Sequence, residues 1–213
     1  MADAVRTGTG HDDAQLIHIS TNRVCRSPIP RPDPECSARL ARPSTPDPRV
    51  AGMDRERENL AAALASARRH VLRQVEGLDD DALRRPVLPS GWTILGLVRH
   101  LTLSDERFWF EVVVAGEPFD WWPKDDAGDW LVSPDESAQD VITAYRNAIT
   151  ASDGIIAAHS LDAPPAYRED QWDPDDFADL RAILRHVIIE TATHAGQLDA
   201  VRELLDGRQY IVL

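Results

Sequence analysis

The chain has 213 residues and a net charge of −13, a size that suits one domain with a tail. Residues 1 to 52 hold seven arginines against six acids, so −14 falls on residues 53 to 213. A surface that acidic repels phosphate backbones, and no basic stripe offers the footprint of a nucleic-acid binder.

No apolar run approaches the length of about 18 residues that a membrane span needs, and the N-terminus lacks the long apolar core of a secretory signal. A cytoplasmic protein is expected. Seven of the fifteen prolines and both cysteines, Cys25 and Cys36, precede Met53. The stretch RSPIPRPDPECSARLARPSTPDPR alternates proline with charge and offers almost nothing to bury, so residues 1–52 read as a disordered, Pro-rich extension. Two cysteines in such a tail make a weak disulfide framework. Residues 53–213 are the expected folded domain, with Met53 as the expected start of the functional chain.

The spacing predicts four helices. From Asp54 to Glu76, Leu60, Leu64, Val71 and Val75 recur on one face, and Gly77 ends the run. A polar connection, LDDDALRRPVLPSG, leads to a second helix from Thr93 to Ala115, with Ile94, Leu97, Val98, Leu101, Phe108, Trp109 and Val112 as its apolar stripe. Gly116 and Pro118 stop it. Ser133, Pro134 and Glu136 read as a capping box that opens the third helix, continued by Val141, Tyr145, Ala148, Ile149, Ser152 and Ile156. The fourth runs from Asp176 or Asp179 to Leu205, closed by Gly207, with Leu180, Ile183, Leu184, Val187, Thr191, His194, Leu198, Val201 and Leu205 in line. No segment alternates with period two, so the fold class is all-α, a four-helix bundle. The long connection from 116 to 132 carries Trp121, Trp122 and Trp130, which could line a substrate mouth or cap the core.

His186, Glu190 and His194 follow one another at four-residue spacing on the last helix, about 5 to 6 Å apart on one face. His100 stands in the second helix. Two imidazoles and a carboxylate form a ligand set used for catalytic zinc. On a helical wheel at about 100° per residue, His194 sits mid-stripe, Glu190 lies about 40° away and His186 about 80° away. Glu190 and His194 therefore face inward together. An inward carboxylate needs a partner, either a cation or a core arginine such as Arg202. His186 reads as a ligand, a group supporting one, or a solvated residue. Asp105, inward among Leu101, Phe108 and Val112, could orient a ligand, pair with an arginine or lie at the wet end of the bundle. His70 and His159 read as structural or exposed.

The segments PSGWTILGLVRHLTLSDERFWF and LRAILRHVIIETATHAGQLDAVRELLDG resemble the DinB-like (YfiT-type) superfamily of four-helix metalloproteins. The nearest branch is that of mycothiol-dependent maleylpyruvate isomerase and of mycothiol or bacillithiol S-transferases. The resemblance spans residues 54 to 207. It implies that one histidine from the second helix and two residues four apart on the fourth hold a divalent ion, here His100, Glu190 and His194. Glutamate at 190 points to the mycothiol-associated branch, whereas glutamine at 197 departs from a histidine common among relatives. The donor set suits Zn first, with Ni, Fe and Mn also fitting.

What the resemblance implies chemically is a metal-dependent thiol S-transferase or thiol-assisted isomerase, in which the ion activates mycothiol or a similar small thiol for attack on an electrophile. No cysteine occurs after Cys36, so the thiol must come from a cosubstrate. The alternatives are a non-catalytic, stress-associated bundle that binds a metal or small ligand, and a metal-dependent hydrolase that activates water. The expected partners are a small thiol and an electrophile, with neither nucleic acid nor membrane, and a homodimer is compatible with the fold.

Overall fold

The computed structural model describes residues 48–124, 128–173 and 175–210. The expected disorder before Met53, and the expectation that the functional chain starts there, concern mostly residues 1–47, which lie outside the described part. Helix α1 runs Pro48–Val75 and so begins five residues before Met53.

Helix α2 (Asp80–Leu83) is a single turn inside the stretch read as a polar connection, capped by Asp79, whose side chain accepts from Ala82 N. Its Leu83 is buried. Helix α3 (Ile94–His100) opens at Thr93, whose hydroxyl accepts from Gly96 N at 3.0 Å. It continues without a break into a π-helix, Leu101–Val114. After a 3₁₀ turn at Gly128–Trp130 come α4 (Ala138–Ala158) and α5 (Leu180–Asp206).

Four long segments therefore pack as a bundle: α1 against α5, α4 against α3 and the π-helix, and α5 against the π-helix. The described residues contain no strand, and no described helix is long and apolar enough to cross a membrane. Two apolar clusters fill the interior. One centres on Val71, Ile94, Leu97, Val141, Tyr145 and Leu198, the other on Leu64, Phe110, Val113, Leu180, Leu184 and Val187.

The third helix starts later than the sequence predicts. Ser133 and Glu136 form a turn, with Glu136 N donating to Ser133 O at 3.1 Å, and the cap is Ser137, whose side chain accepts from Asp140 N. Tertiary contacts decide between these two Ser-x-x-acid pairs. Arg84 donates to the carbonyls of Ser133 and Glu136, and Arg99 takes the Glu136 carboxylate at 2.8 Å. The Glu136 side chain is thus unavailable for a capping box. Of the two expected starts of α5, Asp176 and Asp179, the cap is Asp179, which accepts from Ala182 N at 2.8 Å, and the helix ends at Gly207 with φ 78°, the left-handed conformation that glycine adopts without strain.

The π-helix alters which residues face inward. The residues buried there include the pairs Leu101 and Thr102, Asp105 and Glu106, Trp109 and Phe110, and Val113 and Val114, four residues apart, together with Leu103 and Val112. Hydrogen bonds from i to i+5 widen the turn, as in Ala115 N to Phe110 O at 3.0 Å. At the junction with α3, the Thr102 hydroxyl donates to Val98 O at 2.7 Å, a side-chain bond that competes with the α-helical ladder. Phe108, expected in the core stripe, is half-buried in an aromatic group with Phe119, Trp122, Tyr167 and Trp172. Phe110 and Val113 occupy the core instead.

The same widening buries a charge that the 100° wheel leaves outside. Glu106 is fully enclosed and receives Arg68 through two bonds of 2.6 and 2.5 Å, while a further Arg68 nitrogen donates to Asp153 at 2.7 Å.

Candidate metal centre

His100 is the last residue of α3, and the chain returns to it 29 residues later. The 3₁₀ turn lies against α3 so closely that a Cβ on Gly96 would stand 2.7 Å from the Trp130 carbonyl oxygen. This contact sets Asp129 and Trp130 beside the imidazole. His100 Nδ1 donates to Asp129 Oδ2 at 2.6 Å, Ser104 Oγ donates to the same oxygen, and the Trp130 ring stacks on His100 at 4.3 Å. Burial alone would raise the Asp129 pKa, but the bonds from His100 and Ser104 hold it below the usual carboxylate range. An ionised carboxylate can only accept, so Nδ1 carries the hydrogen of this bond and Nε2 is left for another partner.

His194 comes to the same place from α5. Its ring lies 5.0 Å from that of His100, edge to face. Its Nδ1 is engaged by Gln197 Oε1 at 2.9 Å, one turn along the helix, which again leaves Nε2 free. Burial pushes the His194 pKa down against opposing contributions from Gln197 and Glu190, so the ring is neutral at pH 7, the state a metal ligand requires.

Glu190 is half-buried, one turn before His194. It acts electrostatically on His194, His186 and Asp105. It does not pair with Arg202, which instead donates to the carbonyls of Gln74 and Glu76 and to Asp206. Among the described residues, no three histidine, cysteine or acid side chains already converge as a closed ligand cluster. The structure brings His100 and His194 together and leaves Glu190 close by on the same helix.

His186 stands elsewhere, edge-on to Trp109 at 4.6 Å and to Phe177 at 4.9 Å, its pKa lowered by burial. The three tryptophans of the long connection separate into two places. Trp130 flanks His100 and His194 and lines a cavity of about 540 Å³ with Trp92, Thr93 and Val132. Trp121 packs with Phe119 and Trp122 and lies under the Arg107 guanidinium at 3.8 Å.

Asp105 is buried and accepts a bond from Thr191 Oγ1 at 3.1 Å. Burial raises its pKa well above the usual range, and the negative charges of Glu106, Glu190 and Asp129 add to that. Among the described residues, no lysine or arginine bonds Asp105, Asp129 or Glu190. Two imidazoles, with the Glu190 carboxylate one turn from His194, suit a divalent cation.

One consequence concerns stability. A carboxyl whose folded pKa is raised loses stability as pH climbs from its unfolded value through its folded one. In metal-free protein, Asp105→Asn is therefore expected to raise stability at pH 7 by about 1 kcal/mol or more, with the gain shrinking toward pH 4. Thermal melts at the two pH values check this, and a lower melting temperature for the variant at pH 7 would contradict it.

Sequence reasoning missed Asp129 beside His100 and Thr191 beside Asp105, whereas helical spacing already puts Ser104 on the same side of the second helix as His100. Gln197, three residues after His194, was legible as a neighbour from helical spacing alone. A family model described as mycothiol-S-transferase matches residues 59–207. No curated protein and no solved structure matches the chain.

Proposed function

This chain belongs to the mycothiol-S-transferase family, and we propose from that premise that its bundle is a metal-dependent thiol transferase with His100, Glu190 and His194 as the ligands. The reading is carried by the pair of imidazoles 5.0 Å apart, each with Nδ1 already engaged and Nε2 left over. Zinc is the first choice for two imidazoles and a carboxylate, and a bound divalent ion supplies Lewis acidity that favours thiolate over thiol.

The chain's own residues do the rest. His194 is kept neutral by burial, so its lone pair is available at physiological pH. Trp130 walls the imidazole pair on one side and limits the access of bulk water. Glu190, one turn before His194, adds negative charge that favours a cation over an anion at this point.

The described bundle carries no thiol, since both cysteines lie in residues 1–47. The sulfur nucleophile therefore comes from mycothiol or a similar small thiol: the S–H proton is released, sulfur bonds to the electrophilic carbon, and the leaving group departs with the bonding pair. The cytoplasm is the fitting compartment, where small thiols are kept reduced.

Zinc-loaded full chain is assayed with a chromogenic electrophile, with and without mycothiol. The expected result is turnover that requires the thiol and disappears on chelation. Stoichiometric zinc with no turnover across several thiols and electrophiles would instead identify a binding protein.

A further inference from the structure

We infer that Asp129, seated on α3 by the bare backbone of Gly96, is a positioning residue that fixes the His100 ring and leaves its Nε2 directed to a metal ion. The inference rests on the reading of His100 as a ligand, but its geometric half stands without it.

Three observations converge. The Nδ1 of His100 donates to Asp129 at 2.6 Å, and a neutral imidazole with hydrogen on Nδ1 carries its free lone pair on Nε2. Asp129 is itself buried and held by Ser104 Oγ, so its carboxylate is not free to swing away. Trp130, next in the chain, stacks on the same ring at 4.3 Å. One short turn thus fixes both the tautomer of the ring and its plane.

Gly96 makes the turn's seat. Its missing side chain admits the Trp130 carbonyl, and a Cβ there would lie 2.7 Å from that oxygen and 3.2 Å from Thr93 Oγ1. The first is backbone and cannot step aside without moving the turn. Gly96→Ala therefore displaces Asp129 and Trp130 while leaving every hydrogen-bonding side chain in the protein, and alanine favours the helix it enters. Carboxylates bonded to a ligating imidazole orient it and raise its basicity, and their loss weakens metal binding by about 10- to 100-fold.

The test uses the full chain, first without metal. Long-range ¹H–¹⁵N correlation of the histidine rings is expected to show His100 with hydrogen on Nδ1. In Asp129→Ala and in Gly96→Ala that signature is lost or averaged, while His194, held by Gln197, keeps its own. Zinc affinity, measured by competition with a chromogenic chelator, is then expected to fall about 10- to 100-fold in Asp129→Ala, and by a comparable factor in Gly96→Ala. The double variant is expected to bind no more weakly than Asp129→Ala alone, since both act through one contact. Wild-type tautomer and wild-type affinity in Asp129→Ala would overturn the positioning role. Loss of zinc in His100→Ala but not in Asp129→Ala would overturn it while leaving His100 a ligand. Unchanged zinc affinity in His100→Ala would overturn the metal reading instead, whatever the tautomer.

Discussion

Metal-loaded wild-type chain is expected to carry about one divalent ion, and His194→Ala is expected to lose it together with thiol-dependent turnover, with activity falling at least about 100-fold. His194 occupies the centre of the arrangement. It faces His100 across the bundle at 5.0 Å, it is one turn from Glu190, and its Nδ1 is already bonded to Gln197. Removing it leaves one imidazole and one carboxylate on different helices, too few donors for a site that must also keep a position open. His100→Ala and Glu190→Ala are expected to lose the ion as well, with the helical signal in circular dichroism retained. Metal analysis after gel filtration decides the matter. Retention of the full complement of metal in all three variants would remove the assignment.

Glu106→Gln is expected to destabilise the bundle by about 3–5 kcal/mol, the largest effect of any single change away from the metal centre. Glu106 is wholly enclosed and Arg68 nearly so, and the two share a pair of short hydrogen bonds between α1 and the π-helix. Neutralising the carboxylate leaves the guanidinium buried with only the exposed Asp153 as a counter-charge. Replacing both partners, as in Arg68→Met with Glu106→Leu, is expected to recover most of the loss, because a buried ion pair stabilises little relative to apolar groups of similar volume. Urea unfolding of the two single variants and the double variant measures this. Single variants that unfold with the wild type would show that the pair is solvated and that the π-helix does not hold Glu106 as described.

The α-helical segments were legible because their burial follows the period of the sequence pattern. On α5 the expected stripe from Leu180 through Val201 is the buried one, with His194 and Leu205 half-buried and Ala195 and Arg202 added. On α4, Val141, Tyr145, Ala148, Ser152 and Ile156 are inside as expected. The second helix diverges where its turn widens. A wheel drawn at 100° per residue puts Phe108 inside and Glu106 out, whereas a four-residue recurrence reverses both. The signal was present in the paired repeat Leu101-Thr102, Asp105-Glu106, Trp109-Phe110, Val113-Val114, which a wheel fixed at the α period cannot register.

The candidate site divides along the same line. The sequence by itself determined the groups held by helical spacing: Glu190 and His194 on one face, Gln197 a turn beyond, and His100 within the second helix. Side chains three or four apart on a helix are neighbours whatever the rest of the fold does. Only the tertiary structure decided what meets His100. Asp129 lies 29 residues away across an irregular connection, and its place depends on a backbone contact at Gly96 that no periodicity encodes. Tertiary structure likewise separated Trp130 from Trp121 and Trp122, and set His186 against Trp109 and Phe177 rather than beside the imidazole pair. Local hydrogen bonding and apolar spacing fix what a helix presents, and the packing of loops against helices fixes which of those groups acquire partners.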